Sequence, residues 1–94
     1  MHKNISFTGE IFKENGMFVA YCPELDLSSC GKNIIEAKKN LLEATRLFIE
    51  EALKMGTLKE ILEEAGYDTS AQELKSPLIE TEQLKLDVEV GAKG

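Results

Sequence analysis

The chain has 94 residues and a formal net charge of −6, with 43% hydrophobic and 30% charged residues. That is one domain with a modest core, of globular rather than disordered composition. The acidity argues against direct nucleic-acid binding, because phosphate backbones attract Lys and Arg, and no apolar run approaches the roughly 18 residues of a membrane span.

The start, Met1-His2-Lys3-Asn4, leads straight into a strand-like pattern without a signal-peptide apolar region, so a cytoplasmic location is expected. An acidic surface serves solubility and also suits a basic protein partner. Cys22 and Cys30 are too few for a disulfide framework, and a single His leaves no Cys/His zinc set. Both are expected to be buried, reduced thiols; a bridge between them would need Cα atoms within about 7 Å.

Residues 5–12 alternate apolar and polar, with Ile5, Phe7 and Ile11 on one face and Gly9 between them, which predicts a first strand. Asn15-Gly16 then signals a hairpin turn, since both central residues of that turn need positive φ. Met17 to Cys22 is a second strand rich in β-formers, ended by Pro23. A short third strand covers about Leu27 to Cys30, with Gly31 breaking it.

Residues 34–55 predict a long helix. Asn33 is the N-cap, Glu36 three places on completes a capping-box-like start, and Gly56 is the C-cap. Ile34, Ala37, Leu41, Ala44, Phe48 and Ala52, with Leu42, Ile49 and Leu53, form its apolar face. Thr57 reads as the N-cap of a second helix, Leu58 to Ala65, closed by Gly66. Residues 67–83 read as a connector. Leu84, Leu86, Val88 and Val90 then alternate with Lys85, Asp87 and Glu89, the pattern of a last strand with one buried face, and Gly91 to Gly94 should fray.

The expectation is therefore an α+β domain over residues 1–94, ordered β-β-β-α-α-β, with its core at about residues 5–66. Short connections make the first three strands an antiparallel meander. The long helix covers one face, and the C-terminal strand returns to the sheet edge. A core this small is marginal, and a final strand is an edge or an exchangeable element. A homodimer or higher homo-oligomer is expected, with residues 67–90 in the contact.

Several of these features occur together in a known family. The Asn15-Gly16 hairpin, Phe18-Val19-Ala20-Tyr21-Cys22-Pro23-Glu24-Leu25, Ser29-Cys30-Gly31, and a capped helix opening Glu36-Ala37 and ending Glu50-Glu51 resemble the HicB family of antitoxins. The likeness spans about residues 5–55. It implies a partial ribonuclease-H-like fold with a fourth strand beside the first. It also implies a protein-binding role, in which the domain covers the active site of a small basic ribonuclease toxin of HicA type. Many such proteins add a C-terminal DNA-binding domain; here the 28 residues after Gly66 end in the predicted strand and offer no such pattern. A stand-alone, self-associating HicB-like domain without a toxin is the alternative.

Ribonuclease-H-like enzymes gather several carboxylates on Mg²⁺. The first strand offers only Glu10, so no catalytic, metal or cofactor site is expected and the protein is read as a non-enzyme. His2, at the terminus, is no credible base. The expected partner-binding residues are Tyr21, Glu24 and Asp26 at the exit of the second strand, beside the acids of the helix. Lysines interrupt the helix acids, which makes Glu24 and Asp26 the more distinctive pair.

Overall fold

The computed structural model describes residues 2–91; residues 92–94 of the expected fraying tail lie outside it. The elements are β1 (Asn4–Ile5), β2 (Glu10–Glu14), β3 (Met17–Cys22), β4 (Leu27–Gly31), α1 (Ile34–Met55), α2 (Leu58–Glu64) and β5 (Glu73–Leu74). The expected meander is present: β2, β3 and β4 form an antiparallel sheet in that order. Its first turn uses Asn15 and Gly16 at φ of 49° and 78°, the two positive values a tight hairpin demands.

The register sets the two faces of this sheet. Ile11 pairs with Ala20, and Phe18, Ala20 and Cys22 pair with Gly31, Ser29 and Leu27. Directly opposed residues share a face, so these side chains lie together under α1. Ala20, Cys22, Ala37 and Leu41 form the buried cluster, with Phe7, Ile11, Phe18, Leu25 and Leu27 packed against it. Gly31 explains how closely the helix sits. A Cβ there would lie 2.6 Å from the Ala37 backbone nitrogen, so the start of α1 rests on a position that only Gly can fill.

Helix α1 begins and ends as its caps direct. Asn33 Oδ1 accepts from the Glu36 N–H at 2.7 Å, while the Glu36 carboxylate accepts from the Lys32 N–H at 2.9 Å. At the far end Gly56, at φ 75°, donates to Leu53, and the Thr57 N–H donates to Ala52, the paired bonds of a Schellman closure. Thr57 is therefore not the side-chain cap of α2. Its hydroxyl reaches back to the Ala52 carbonyl and makes no cap bond to the following helix. Part of the apolar face predicted for α1 also stays outside the core: Ile34, Leu42 and Leu53 are exposed, while Thr45 is buried.

Two expectations at the ends of the chain are corrected. Residues 5–12 are not one strand. Backbone groups of residues 6–8 bond to remote partners instead: the Ser6 N–H donates to Leu74, the Ser6 carbonyl accepts from the Tyr67 hydroxyl, and the Thr8 N–H donates to Glu24. The strand breaks there into β1 and β2. Nor do residues 84–90 form a strand within the chain. The strand beside β1 is β5, ten residues earlier, which pairs with it in parallel through Asn4 with Glu73 and Ile5 with Leu74. Tyr67, Leu74 and Ser76 anchor the connector to the N-terminal segment, and residues 79–90 run on exposed.

Candidate functional site

The sheet face opposite α1 carries Phe12, Met17, Val19, Tyr21 and Cys30, because Phe12 pairs with Val19, Val19 with Cys30, and Met17 with Glu14. No helix packs on it among the described residues. Phe12 is 50% exposed and Met17 38%, so its centre is an uncovered apolar surface. Its edges are acidic. Glu10 stands opposite Tyr21 and Glu14 opposite Met17, and Asp26 adds a third carboxylate at the β3 exit. The one lysine of β2, Lys13, belongs to the other face, where its ammonium lies 5.8 Å from the centre of the Phe18 ring.

Tyr21 and Asp26 meet in this surface. The Tyr21 hydroxyl donates to Asp26 Oδ1 at 2.8 Å. That bond, with slight burial and the charges of Asp26 and Glu10, raises the pKa of Tyr21 above its ordinary value. Asp26 adopts φ 54°, a left-handed conformation that Asp tolerates better than most residues. The tight 23–26 turn thus presents an exposed carboxylate already paired with a phenol.

Glu24 faces inward. Its carboxylate accepts from the Thr8 N–H at 3.0 and 3.1 Å, from the Thr8 hydroxyl at 2.8 Å, from the Ser76 hydroxyl, and from the Cys22 thiol at 3.5 Å. Burial pushes its pKa up, but the hydrogen bonds from Ser76 and Thr8 outweigh burial and hold it below the ordinary carboxylate value. The knot extends further. Ser76 N–H donates to the Ser6 hydroxyl at 2.9 Å, and the Tyr67 hydroxyl donates to the Ser6 carbonyl at 2.7 Å. Burial, helped by the charge of Glu24, pushes the Tyr67 phenol up to about 12. Of the three candidate residues, then, the structure brings Tyr21 and Asp26 together at the surface and ties Glu24 into the body.

Thr8, Ser76 and Tyr67 were not singled out in the sequence. Tyr67 carried the one usable signal, an aromatic residue directly after the helix-closing Gly66 in an otherwise polar connector. Ser76 and Thr8 carried none, since they lie 52 and 16 residues from the carboxylate they serve.

The two thiols occupy opposite faces of the sheet. Cys22 is buried against α1, where burial raises its pKa, whereas Cys30 is exposed on the open face. Cys30 is thus not the buried thiol expected, and both cysteines are free.

A second apolar surface lies on the other side of the molecule. A groove of about 720 Å³ runs between residues 2–7 and α1, with Ile5, Phe7, Leu42 and Ile49 in its floor. Its rim is basic on balance, Lys3, Lys39 and Arg46 against Glu43 and Glu50, with Arg46 ion-paired to both glutamates, and Lys38 stands at an adjoining hollow that shares Ile5, Phe7 and Leu42 with it. Among the described residues no cluster of three or more His, Cys, Asp or Glu could share a metal ion, and no helix is long and apolar enough to cross a membrane. Comparison with protein-family models, with curated proteins and with solved structures finds no match to this chain.

Proposed function

We propose that this chain is a HicB-like protein-binding module that binds and neutralises a small basic ribonuclease of HicA type. The observation that carries this reading is the open sheet face, apolar at Phe12, Val19 and Met17 and edged by Glu10, Glu14 and Asp26 with no lysine among its strand positions. A ribonuclease must be basic where it grips RNA, and an inhibitor gains association rate and specificity by presenting the opposite charge there. An apolar centre with a charged rim is also the usual anatomy of a protein–protein contact. The paired Tyr21 and Asp26 offer a pre-formed polar anchor at one end of the face. The order of the meander, its turn residues and the capped helix agree with the family resemblance over residues 5–55.

In this reading the module performs no chemistry. Glu10 is the one carboxylate within the first strand segment for which a catalytic part could be argued, and it serves as a rim charge. The chain is expected not to cleave RNA or DNA with Mg²⁺ or Mn²⁺; cleavage abolished by Glu10→Gln would contradict this. A self-associating domain without a toxin is the second reading, favoured by the exposed apolar row at Leu84, Leu86, Val88 and Val90.

The test is to look beside the coding sequence for a frame encoding a small basic ribonuclease, mix its product with the full chain, and follow association and RNA cleavage against salt. A complex at micromolar concentration, with cleavage suppressed and association slowed by salt and by Glu10→Lys with Asp26→Lys, supports the reading. No complex, or rates indifferent to both changes, ends it. Glu24 is left unchanged in this test, because replacing it would disturb the body.

A further inference from the structure

Residues 79–90 leave the body as an arm whose apolar side chains meet nothing. Leu84, Leu86 and Val90 are at least 80% exposed, and Val88 is 61% exposed. The arm passes the β2 edge, where Thr81, Glu82 and Gln83 lie beside Glu10, Ile11 and Phe12, and then continues outward. The molecule is accordingly elongated, 59 × 28 × 20 Å, with a radius of gyration of 16.8 Å against about 12 Å for a compact chain of this length. An unbroken alternation of apolar and charged residues is a strand's pattern, and this one has no partner among the described residues.

The groove between residues 2–7 and α1 has the opposite deficit, an apolar floor with no side chains laid upon it. We propose that the C-terminal arm of one copy, residues 84–90, lies in this groove of a second copy, and that the exchange is reciprocal. Three features of the molecule match. In length, the α1 side of the groove from Lys39 to Glu50 rises about 16 Å and the arm from Leu84 to Val90 spans about 20 Å. In polarity, the apolar row of the arm, repeating every ~6.8 Å, faces Leu42, Ile49, Ile5 and Phe7. In charge, Asp87 and Glu89 outnumber Lys85 on residues 84–90, whereas Lys38 and Lys39 flank the groove without ion-pair partners among the described residues. A two-fold exchange fills both grooves at once and leaves no open edge for a third copy. The inference holds with or without a toxin, since it leaves the open sheet face free.

The test uses the full chain. The wild type should sediment at two-chain mass, and Leu86→Asp with Val88→Asp at one-chain mass with an unchanged circular dichroism spectrum, because neither side chain packs within its own copy. Lys38→Glu with Lys39→Glu should weaken the dimer about tenfold, and adding Asp87→Lys with Glu89→Lys should restore it. For placement, Cys30 is first replaced by Ser. Chains carrying Val88→Cys are then mixed with chains carrying Leu42→Cys and oxidised with diamide. A mixed disulfide of two-chain mass is expected. A wild-type monomer, a dimer indifferent to the arm substitutions, or a link to Phe12→Cys in preference to Leu42→Cys would overturn the proposal. So would an intrachain disulfide at monomer mass in a chain that carries both Val88→Cys and Leu42→Cys. Loss of ribonuclease binding with the dimer intact would count against the toxin-binding reading alone.

Discussion

The two uncovered surfaces of this molecule differ in what surrounds them. The open sheet face has an apolar centre and an acidic edge, Glu10, Glu14 and Asp26, while the groove along α1 has an apolar floor and a rim that Lys39, with Lys38 beside it, makes basic. Apolar area alone would class them together. Charge separates them, because an acidic rim repels another acidic surface and selects a basic one, and a basic rim does the reverse. In a chain of net charge −6, with an acidic arm of its own, the basic groove suits a copy of the same protein and the acidic face suits a foreign one.

Both surfaces depend on the body that separates them, so the largest effect should come from disturbing that body. Gly31→Ala would drive a Cβ against the backbone of α1. A loss of about 3 kcal/mol is expected by urea unfolding, with the two surfaces lost together. If the groove contact survived this substitution while the sheet face did not, the two would not share a frame.

Next in size is the knot at Glu24. Glu24→Ala removes the acceptor for Thr8 and Ser76 and should cost about 2 kcal/mol, the scale of hydrogen bonds to a charged group. The folded pKa of Glu24 is depressed. Its contribution is therefore present above the unfolded carboxylate value and is lost as pH falls through the folded one. Glu24→Gln should flatten that acid limb, which chemical denaturation from pH 7 down to 3 would read.

Tyr67→Phe should be milder, about 1 kcal/mol for one hydrogen bond to the Ser6 carbonyl. Here the sign is opposite. The phenol is raised from 10.0 to about 12, so its contribution is complete below 10 and is lost as pH rises toward 12. The variant should lack this alkaline loss. The smallest effect on the stability of a single copy belongs to Leu84→Ser, within about 0.5 kcal/mol at protein concentrations where the chain is monomeric, because the side chain packs on nothing in its own copy. A larger loss that grows with protein concentration would show the arm bound between copies, and a larger loss independent of concentration would place it on its own body.

The parts of the fold legible in the sequence are those whose partners are near in sequence. The Asn15-Gly16 turn, the Met17–Cys22 strand and the Asn33 and Gly56 caps each act within a few residues. The break at residues 6–9 was not legible, because Tyr67 and Leu74 claim those backbone groups from more than 60 residues away. The alternation at 84–90 announces a strand with one apolar face but does not say in which chain its partner lies. Thr57 resembled an N-cap, yet its hydroxyl turned back to the preceding helix. At the site, the sequence singled out Glu24 and Asp26 as the pair, but the structure pairs Asp26 with Tyr21 and turns Glu24 inward onto Thr8 and Ser76. Cys22 and Cys30 illustrate the same limit. They are eight residues apart with equal parity, but the pairing of Cys22 with Leu27 shifts the inward positions of β4 to odd numbers and puts Cys30 on the outer face.

That outer thiol is a natural reporter for the central claim, that the open sheet face is where a basic partner binds. Cys30 stands beside Val19 in the middle of the face, while Cys22 is buried behind it. The measurement is the rate at which Cys30 reacts with a thiol reagent in the native chain, alone and with the basic ribonuclease added. Cys30 alone should react readily, and addition of the partner should slow the reaction markedly, in proportion to the fraction of chain bound and reversibly by salt. A Cys30 rate unchanged in a saturated complex would contradict that claim.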